Sequence, residues 1–274
     1  MRHQRVDAGG EHMNGVYEAL KRTESGERRR GEAPAADDGA TRDEGAAGGI
    51  RPAPRYGVGP ALIAGNDRYG AVNDRFRVLS ARLQALAAER DRHLFAVTSA
   101  LAGEGKSFVA LNLAVSLAQN GVRVLLIDTD LRTPSLHWSL RLNPLHGLLS
   151  YLTERIDFES SMQATALPGL TLIPAAAAPS APELFACPRM HKLIAAARAA
   201  YARDYVVIDC PPALAAPETQ IVARLADALV IVIAANRTPR HAVARALDQL
   251  AGCEIAGLVL NRFEPSYSRK AEYG

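Results

Sequence analysis

The residues in this sequence whose types and spacing most clearly indicate a chemical function are 100–107, which read ALAGEGKS. The apolar run LFAVTSA precedes them and FVALNLAVSLAQ follows, which predicts a strand, a glycine-containing turn and a helix. The stretch fits the pattern A/G-x-x-x-x-G-K-S/T, whose glycines let backbone N–H groups surround phosphate oxygens. Lys106 is predicted to reach the β- and γ-phosphates of a nucleotide, and Ser107 to bind Mg²⁺. The alternative is an ordinary turn between strand and helix with a surface lysine.

Two further polar signals follow apolar runs that are typical of buried strands. VLLIDTDLRTP carries Asp128 and Asp130, with Arg132 nearby, and YVVIDCPP carries Asp209. Carboxylates so placed can hold Mg²⁺ or its bound water and can receive a hydroxyl proton. Isolated aspartates at strand ends are otherwise often turn or helix-capping residues. Cys210 is interpreted as a small buried residue, because no histidine is evidently paired with it.

From about residue 70 onward, apolar runs and helix-like segments alternate along the chain. Phe76, Leu79, Leu83 and Leu86 recur at helical spacing. The runs VRVLLID, LTLIP, YVVID, ALVIVIA and EIAGLVLN lack polar alternation, which is typical of strands covered on both faces. This order predicts an α/β fold with a mostly parallel sheet flanked by helices. Such sheets bind ligands at the carboxyl ends of their strands, where the polar motifs fall.

The composition of the 274 residues limits the function classes that are open. A net charge of +3, without a clustered basic face, argues against a nucleic-acid partner. The three cysteines form no CxxC pair, which favours free thiols in a reducing compartment. The amino terminus lacks the apolar core of a signal peptide, and every apolar run is far shorter than the ~20 residues of a membrane span. We therefore expect a cytoplasmic chain.

Over about residues 70–265 the chain resembles the bacterial tyrosine kinases, the P-loop autokinases of exopolysaccharide and capsule assembly. Residues 100–137 stand where this family has its Walker A and Walker A′ elements. GLLSYL, PSAPELF, YVVIDCPPALAAPETQIVARLADALVIVIA and GLVLN match later family segments in order. The likeness is closest to exopolysaccharide-locus autokinases that lack a fused membrane domain. It implies the P-loop superfold that this family shares with MinD/ParA-type ATPases.

The resemblance implies ATP and Mg²⁺ as cofactors and a role for each matching residue. Phosphate binding is assigned to the loop residues Gly103, Glu104, Gly105, Lys106, Ser107 and Phe108. Catalysis is assigned to Lys106, Asp128, Asp130 and Asp209, and metal binding to Ser107 together with the three aspartates. Asp128 and Asp130 would also act as general base toward an incoming tyrosine. Asn261 would meet the adenine, whereas an asparagine at a strand end is otherwise a common turn residue.

The domain organisation follows from composition and resemblance together. Residues 1–60 are rich in Gly, Ala, Pro and mixed charge, so a disordered N-terminal arm is expected. Residues 61–265 would form the P-loop kinase domain. Residues 266–274 would be a flexible tail, in which Tyr267 and Tyr273 are phosphoacceptor candidates or ordinary surface tyrosines. The implied partners are further copies of the chain and a membrane polysaccharide co-polymerase on a separate chain, which would recruit the kinase to the inner face of the plasma membrane.

Several residues depart from the family pattern. The ring-forming signature E-x-x-R-x-x-R stands here as Asp74, Arg77 and Ser80, so the usual octameric ring is in doubt. Glu218 replaces an aspartate that often follows the Walker B prolines. Leu101 stands where MinD/ParA-type ATPases usually carry a lysine, which favours the kinase branch. The hypotheses that stay open are a non-kinase ATPase switch that acts through dimerisation and partner binding, and a structural regulator with a degenerate site.

Overall fold

A computed structural model describes residues 70–90, 92–153, 155–178 and 182–263 of the chain. Its centre is a seven-stranded sheet with the order β3-β4-β2-β5-β1-β6-β7. The strands are β1 Leu94–Ser99, β2 Val124–Asp128, β3 Gln163–Ala164, β4 Leu170–Ile173, β5 Tyr205–Asp209, β6 Ala228–Ala234 and β7 Ile255–Asn261. All neighbouring strands run parallel except β3, which is antiparallel to β4. The predicted mostly parallel α/β sheet is thereby confirmed.

Helices cover both faces of this sheet. They are α1 Gly70–Arg90, α2 Lys106–Gln119, α3 Leu136–Ser139, α4 Leu148–Leu152, α5 Phe158–Ser161, α6 Pro182–Ala186, α7 Pro188–Ala200, α8 Glu218–Leu225 and α9 Arg240–Gln249. One apolar cluster joins the sheet to α7, α8 and α9, and the other joins it to α1 and α2. The five residues of β2 are all buried, and the side chains of the first four enter the two clusters alternately.

The strand register brings the separate sequence motifs to one end of the sheet. β5 lies between β2 and β1, and Asp128 and Asp209 are direct cross-strand partners. The loop that follows β1 leads into α2 at the same end, because parallel strands present their carboxyl ends together. Motif residues as distant in sequence as Gly103 and Asp209 therefore lie at the same edge of the sheet.

α1, which contacts α2, contains the three residues of the altered ring signature. Asp74 and Arg77 form an ion pair with both side chains about 70% exposed. Ser80 is buried, and its hydroxyl lies 3.1 Å from that of Ser116 on α2. The position that carries the last arginine of the family signature is thus part of the α1–α2 packing in this chain.

The sequence patterns predicted none of the short elements that lie between β2 and α7, apart from β4. α3, α4, α5 and α6 have only four or five residues each, and β3 has two. Segments of that length contain too few residues for a periodic pattern to emerge. The predicted arm and the tail with Tyr267 and Tyr273 lie outside the described residues. No helix in the described part of the chain is both long and apolar enough to cross a membrane.

Candidate functional site

The loop between β1 and α2 turns sharply at two glycines. Gly103 and Gly105 have φ values of 81° and 95°, a region that is costly for residues with a Cβ atom. There is also no space for a side chain at Gly105, because a Cβ atom there would lie 2.1 Å from Asn261 Nδ2. The loop therefore presents its backbone at the start of α2, where N–H groups and the helix dipole favour an anion.

Lys106 is the first residue of α2, and its side chain is only 11% exposed. Its Nζ lies 2.7 Å from Asp130 Oδ2, 3.0 Å from Ser107 Oγ and 3.8 Å from Asp209 Oδ1. Burial lowers the pKa of Lys106, but Asp209 and Asp130 outweigh burial and the net shift is upward. The ammonium group is therefore held charged in the centre of the predicted motif residues.

Asp130 is fixed on two sides. Its carboxylate accepts hydrogen bonds from the Thr133 N–H, at 3.0 Å, and from the Thr133 hydroxyl, at 3.1 Å. Burial raises the pKa of Asp130, but Lys106 and Thr133 together lower it by more than burial raises it, so the net shift is downward. Asp130 is thus the ionised partner of Lys106, and Thr133, which the sequence analysis did not single out, orients it.

Asp128 and Asp209 are fully buried neighbours at the ends of β2 and β5. Asp128 Oδ1 accepts the Asp130 N–H at 3.0 Å, and burial followed by the charge of Asp209 raises the pKa of Asp128 well above its usual range. Burial raises the pKa of Asp209 to about 6, although Lys106 and the Ser107 hydroxyl offset part of that effect. Ionising both carboxyl groups at once is unfavourable, because they are buried next to each other and, among the described residues, only Lys106 offsets their negative charge.

The donor set fits a divalent cation such as Mg²⁺. Both carboxylate oxygens of Asp209 are buried, and within the described residues neither accepts a hydrogen bond of good geometry. The Ser107 hydroxyl is a further oxygen of suitable type, and it lies next to Lys106. No group of three His, Cys, Asp or Glu side chains in the described ranges could hold a metal by itself. Mg²⁺ usually keeps several waters and binds substrate phosphates beside one or two carboxylates, and Asp209 and Ser107 are the residues that would hold it here.

Asn261 ends β7 directly above the loop. Its Nδ2 donates a 2.8 Å hydrogen bond to the Glu104 carbonyl oxygen. The structure thereby places Asn261 beside the loop, while its contact with adenine stays a prediction. Phe108 points the other way, since its ring packs edge-on against Phe76 of α1 with centroids 5.8 Å apart. The predicted role of Phe108 in phosphate binding stays a prediction, and it would have to rest on the backbone of this residue.

Glu218 is brought next to the Walker A′ loop. It is the first residue of α8, is 3% exposed, and its Oε1 lies 3.3 Å from Arg132 Nε. Sequence reasoning missed this pair, whose members are 86 positions apart. It also missed Thr238, whose hydroxyl donates a hydrogen bond to the Glu104 carboxylate. A lone threonine after a strand carries no motif that would have revealed it.

Similarity to known proteins identifies the family to which the chain belongs. The model of the AAA domain family matches residues 93–252. Tyrosine-protein kinase YwqD of Bacillus subtilis is 36% identical over 216 residues, which cover 78% of this chain and 90% of YwqD. The chain belongs to the bacterial tyrosine-protein kinases. This finding confirms the resemblance that was drawn from the sequence motifs.

Other relatives and solved structures extend this result. The succinoglycan biosynthesis transport protein ExoP of Rhizobium meliloti is 32% identical over 195 residues, 69% of this chain but 25% of ExoP. The kinase domain of the Escherichia coli tyrosine kinase Etk superposes with a TM-score of 0.68 at 29% identity, covering 77% of this chain and 85% of that one. MinD of Pyrococcus horikoshii, solved with Mg-ADP, has a TM-score of 0.54 at 23% identity over 64% of this chain and 72% of MinD. That likeness supports the shared fold alone.

Proposed function

We propose that this protein is an ATP- and Mg²⁺-dependent protein-tyrosine autokinase that regulates exopolysaccharide or capsule biosynthesis and export. The observation that carries the proposal is the buried group in which Lys106 lies within 4 Å of both Asp130 and Asp209. A surface lysine on an ordinary turn would be solvated, and buried carboxylates would not be expected around it. Membership of the tyrosine kinase family supports the choice of reaction, and the similarity to ExoP, a succinoglycan biosynthesis transport protein, supports the choice of process.

In the proposed reaction, the hydroxyl oxygen of a tyrosine attacks the γ-phosphorus of ATP, and the bond from that phosphorus to the ADP oxygen breaks. Asp128 receives the hydroxyl proton, because a carboxyl group with a raised pKa is the better proton acceptor once ionised. Bound Mg²⁺ supplies positive charge to the phosphate oxygens. Lys106 exchanges its contact with Asp130 for the β- and γ-phosphates, while Thr133 keeps Asp130 in place.

The acceptor tyrosines are proposed to be Tyr267 and Tyr273, offered by the tail of a neighbouring copy. We propose that the kinase domain acts in the cytoplasm and is recruited to the plasma membrane by a polysaccharide co-polymerase on a separate chain. The oligomer is proposed to differ from the usual ring of the family, because Ser80 is buried against Ser116 where the signature has an arginine.

The test is a phosphotyrosine measurement on the purified full chain incubated with ATP and Mg²⁺. We expect a signal in the unmodified chain that falls strongly in the Tyr267→Phe/Tyr273→Phe variant. The matched control is Tyr17→Phe/Tyr56→Phe, which removes two tyrosines near the other end of the sequence and should leave the signal unchanged. Nucleotide binding without any phosphotyrosine in the unmodified chain would contradict the kinase proposal and favour the ATPase switch.

A further inference from the structure

The Glu104 side chain closes the phosphate-binding loop on itself. Glu104 is 4% exposed although it lies in a loop at the surface end of the sheet. Its Oε2 accepts the Leu101 N–H at 2.8 Å, across the turn that contains Gly103. A carboxylate used in this way is turned away from an anionic ligand, so it stabilises the loop without adding charge at the phosphates.

Thr238 holds the other oxygen of that carboxylate. The Thr238 hydroxyl donates to Glu104 Oε1 and accepts the Ala234 N–H at 3.0 Å. The Thr238 N–H in turn donates to the Ala234 carbonyl at 3.1 Å. Donor and acceptor functions of the hydroxyl are therefore both used, and its position is fixed by the last residue of β6.

A third contact ties the loop to β7. The Glu104 carbonyl accepts the hydrogen bond from Asn261 Nδ2, and the Ala235 N–H donates to the Asn261 carbonyl at 2.8 Å. The ends of β6 and β7 are thus joined to each other and to the same loop residue. Glu104 is held by its side chain at Thr238 and by its backbone at Asn261.

We propose that Glu104 is a positioning residue that, through Thr238, holds the phosphate-binding loop in its ligand-ready shape before nucleotide arrives. This inference rests on the proposed function, because it concerns how the same loop binds ATP. A loop with two glycines has many accessible conformations, and ordering it at the moment of binding lowers affinity. Hydrogen bonds made in the free protein order the loop before nucleotide binds. Their loss therefore weakens binding, although neither the Glu104 nor the Thr238 side chain contacts phosphate.

The experiment compares ADP affinity in the full chain and its variants by titration with a fluorescent ADP analogue. Thr238→Val keeps the shape but removes the hydroxyl, and we expect affinity to fall about 10-fold, as for loss of a hydrogen bond to a charged group. Thr238→Ser restores the hydroxyl and should return affinity to within about 2-fold of the unmodified chain. Thr153→Val is the matched control, because its hydroxyl is exposed and donates to the Leu149 carbonyl within its own helix end.

The outcomes separate this inference from the proposed function. An unmodified chain that binds no ADP refutes the nucleotide site itself. An unmodified chain that binds ADP while Thr238→Val binds it equally well overturns the positioning role. Hydrogen exchange on the unmodified, ligand-free chain gives a test without any substitution. We expect the Leu101 amide to exchange at least 10-fold more slowly than an unprotected loop amide, and exchange at the unprotected rate would overturn the proposal.

Discussion

Acidic side chains gather at both ends of the sheet, but their charges are balanced differently. At the amino ends of the strands, Asp204, Asp227 and Glu254 each lie within 3 Å of an arginine nitrogen. At the carboxyl ends, Asp128, Asp130 and Asp209 are more deeply buried and are gathered around Lys106. Each of these three acidic groups at the amino end is therefore paired with an arginine, whereas the three aspartates at the carboxyl end share one lysine.

The contrast separates structural from functional carboxylates. Asp227 accepts the backbone N–H groups of His93 and Leu94 and pairs with Arg198, so its hydrogen-bonding capacity is used by the fold. Asp209 is buried without comparable partners, and its raised pKa shows that the fold does not stabilise its charge. Groups that are destabilised in this way concentrate at sites that bind ligands.

The largest expected effect comes from the central cation. Lys106→Met should lower the rate of phosphotyrosine formation by about 10³-fold or more, because it removes a buried charge that stabilises the transferring phosphoryl group. Initial rates with saturating ATP measure this loss. Lys192→Met, on the exposed side of α7, is the control and should leave the rate unchanged. Near-normal turnover in the Lys106 variant would remove the basis of the contrast between the two ends.

The two kinds of carboxylate should respond in opposite directions to the same substitution. Asp209→Asn should lower the phosphorylation rate by about 10²-fold or more, yet raise the stability of the ligand-free chain by on the order of 2 kcal/mol at pH 7.5. Asp227→Asn should leave the rate unchanged and destabilise the chain by about 2 kcal/mol, because an amide cannot replace the carboxylate toward Arg198 and two N–H groups. Chemical denaturation and initial rates measure both quantities.

The pH dependence of the stability difference follows from the direction of the Asp209 shift. The folded chain favours the protonated form, so this group contributes stability below its ordinary pKa of 3.8, and the contribution is lost as pH rises through about 6. The advantage of Asp209→Asn should therefore be full above pH 7 and shrink toward pH 4. An advantage that is constant between pH 5 and pH 8 would contradict the raised pKa.

A third comparison uses one glycine at each end of the sheet. Gly105 and Gly252 both have positive φ, so alanine should cost about 1–2 kcal/mol of folding stability at either position. A Cβ at Gly252 meets open space, whereas at Gly105 it collides with Asn261 Nδ2. Only Gly105→Ala should therefore weaken ADP binding, by about 10-fold through the displaced Asn261 hydrogen bond. Equal ADP affinities in the two variants would argue that Asn261 does not shape the loop.

The smallest expected effect belongs to the surface of the amino end. Arg90 lies 2.9 Å from Glu254 and its side chain is 42% exposed. Arg90→Ala should reduce stability by less than about 1 kcal/mol and leave activity unchanged, since exposed ion pairs contribute little and Arg92 also contacts Glu254. Thermal unfolding in low and high salt measures this. A large loss of activity would show that the two ends are coupled.

Much of the fold and the core of the site could be predicted because their signals are local in sequence. Continuous apolar runs marked the parallel strands, and each of Lys106, Asp128 and Asp209 lies where a run ends or a helix begins. Parallel strands then bring such positions together without further information. The short helices after β2 gave no comparable signal because four or five residues cannot show a period.

The contacts that refine the site could not be predicted, because they join residues that are distant in sequence and belong to no motif. Thr238 and Glu104 are 134 positions apart, and the pairing of β1 with β6 brings together the loops that follow these two strands. The burial of Ser80 likewise depends on how α1 packs on α2. The motif residue Asn261 was identified, but its hydrogen bond to the loop depends on the length of β7.

The most direct test of the account is the effect of Mg²⁺ on ADP affinity, measured by calorimetry for the unmodified chain and for Asp209→Asn. We propose that a cation beside the nucleotide completes the carboxyl end of the sheet. We therefore expect Mg²⁺ to raise the ADP affinity of the unmodified chain by about 10-fold or more, and Asp209→Asn to lose most of this gain. An equal Mg²⁺ gain in both proteins, or ADP binding indifferent to Mg²⁺ in the unmodified chain, would contradict it.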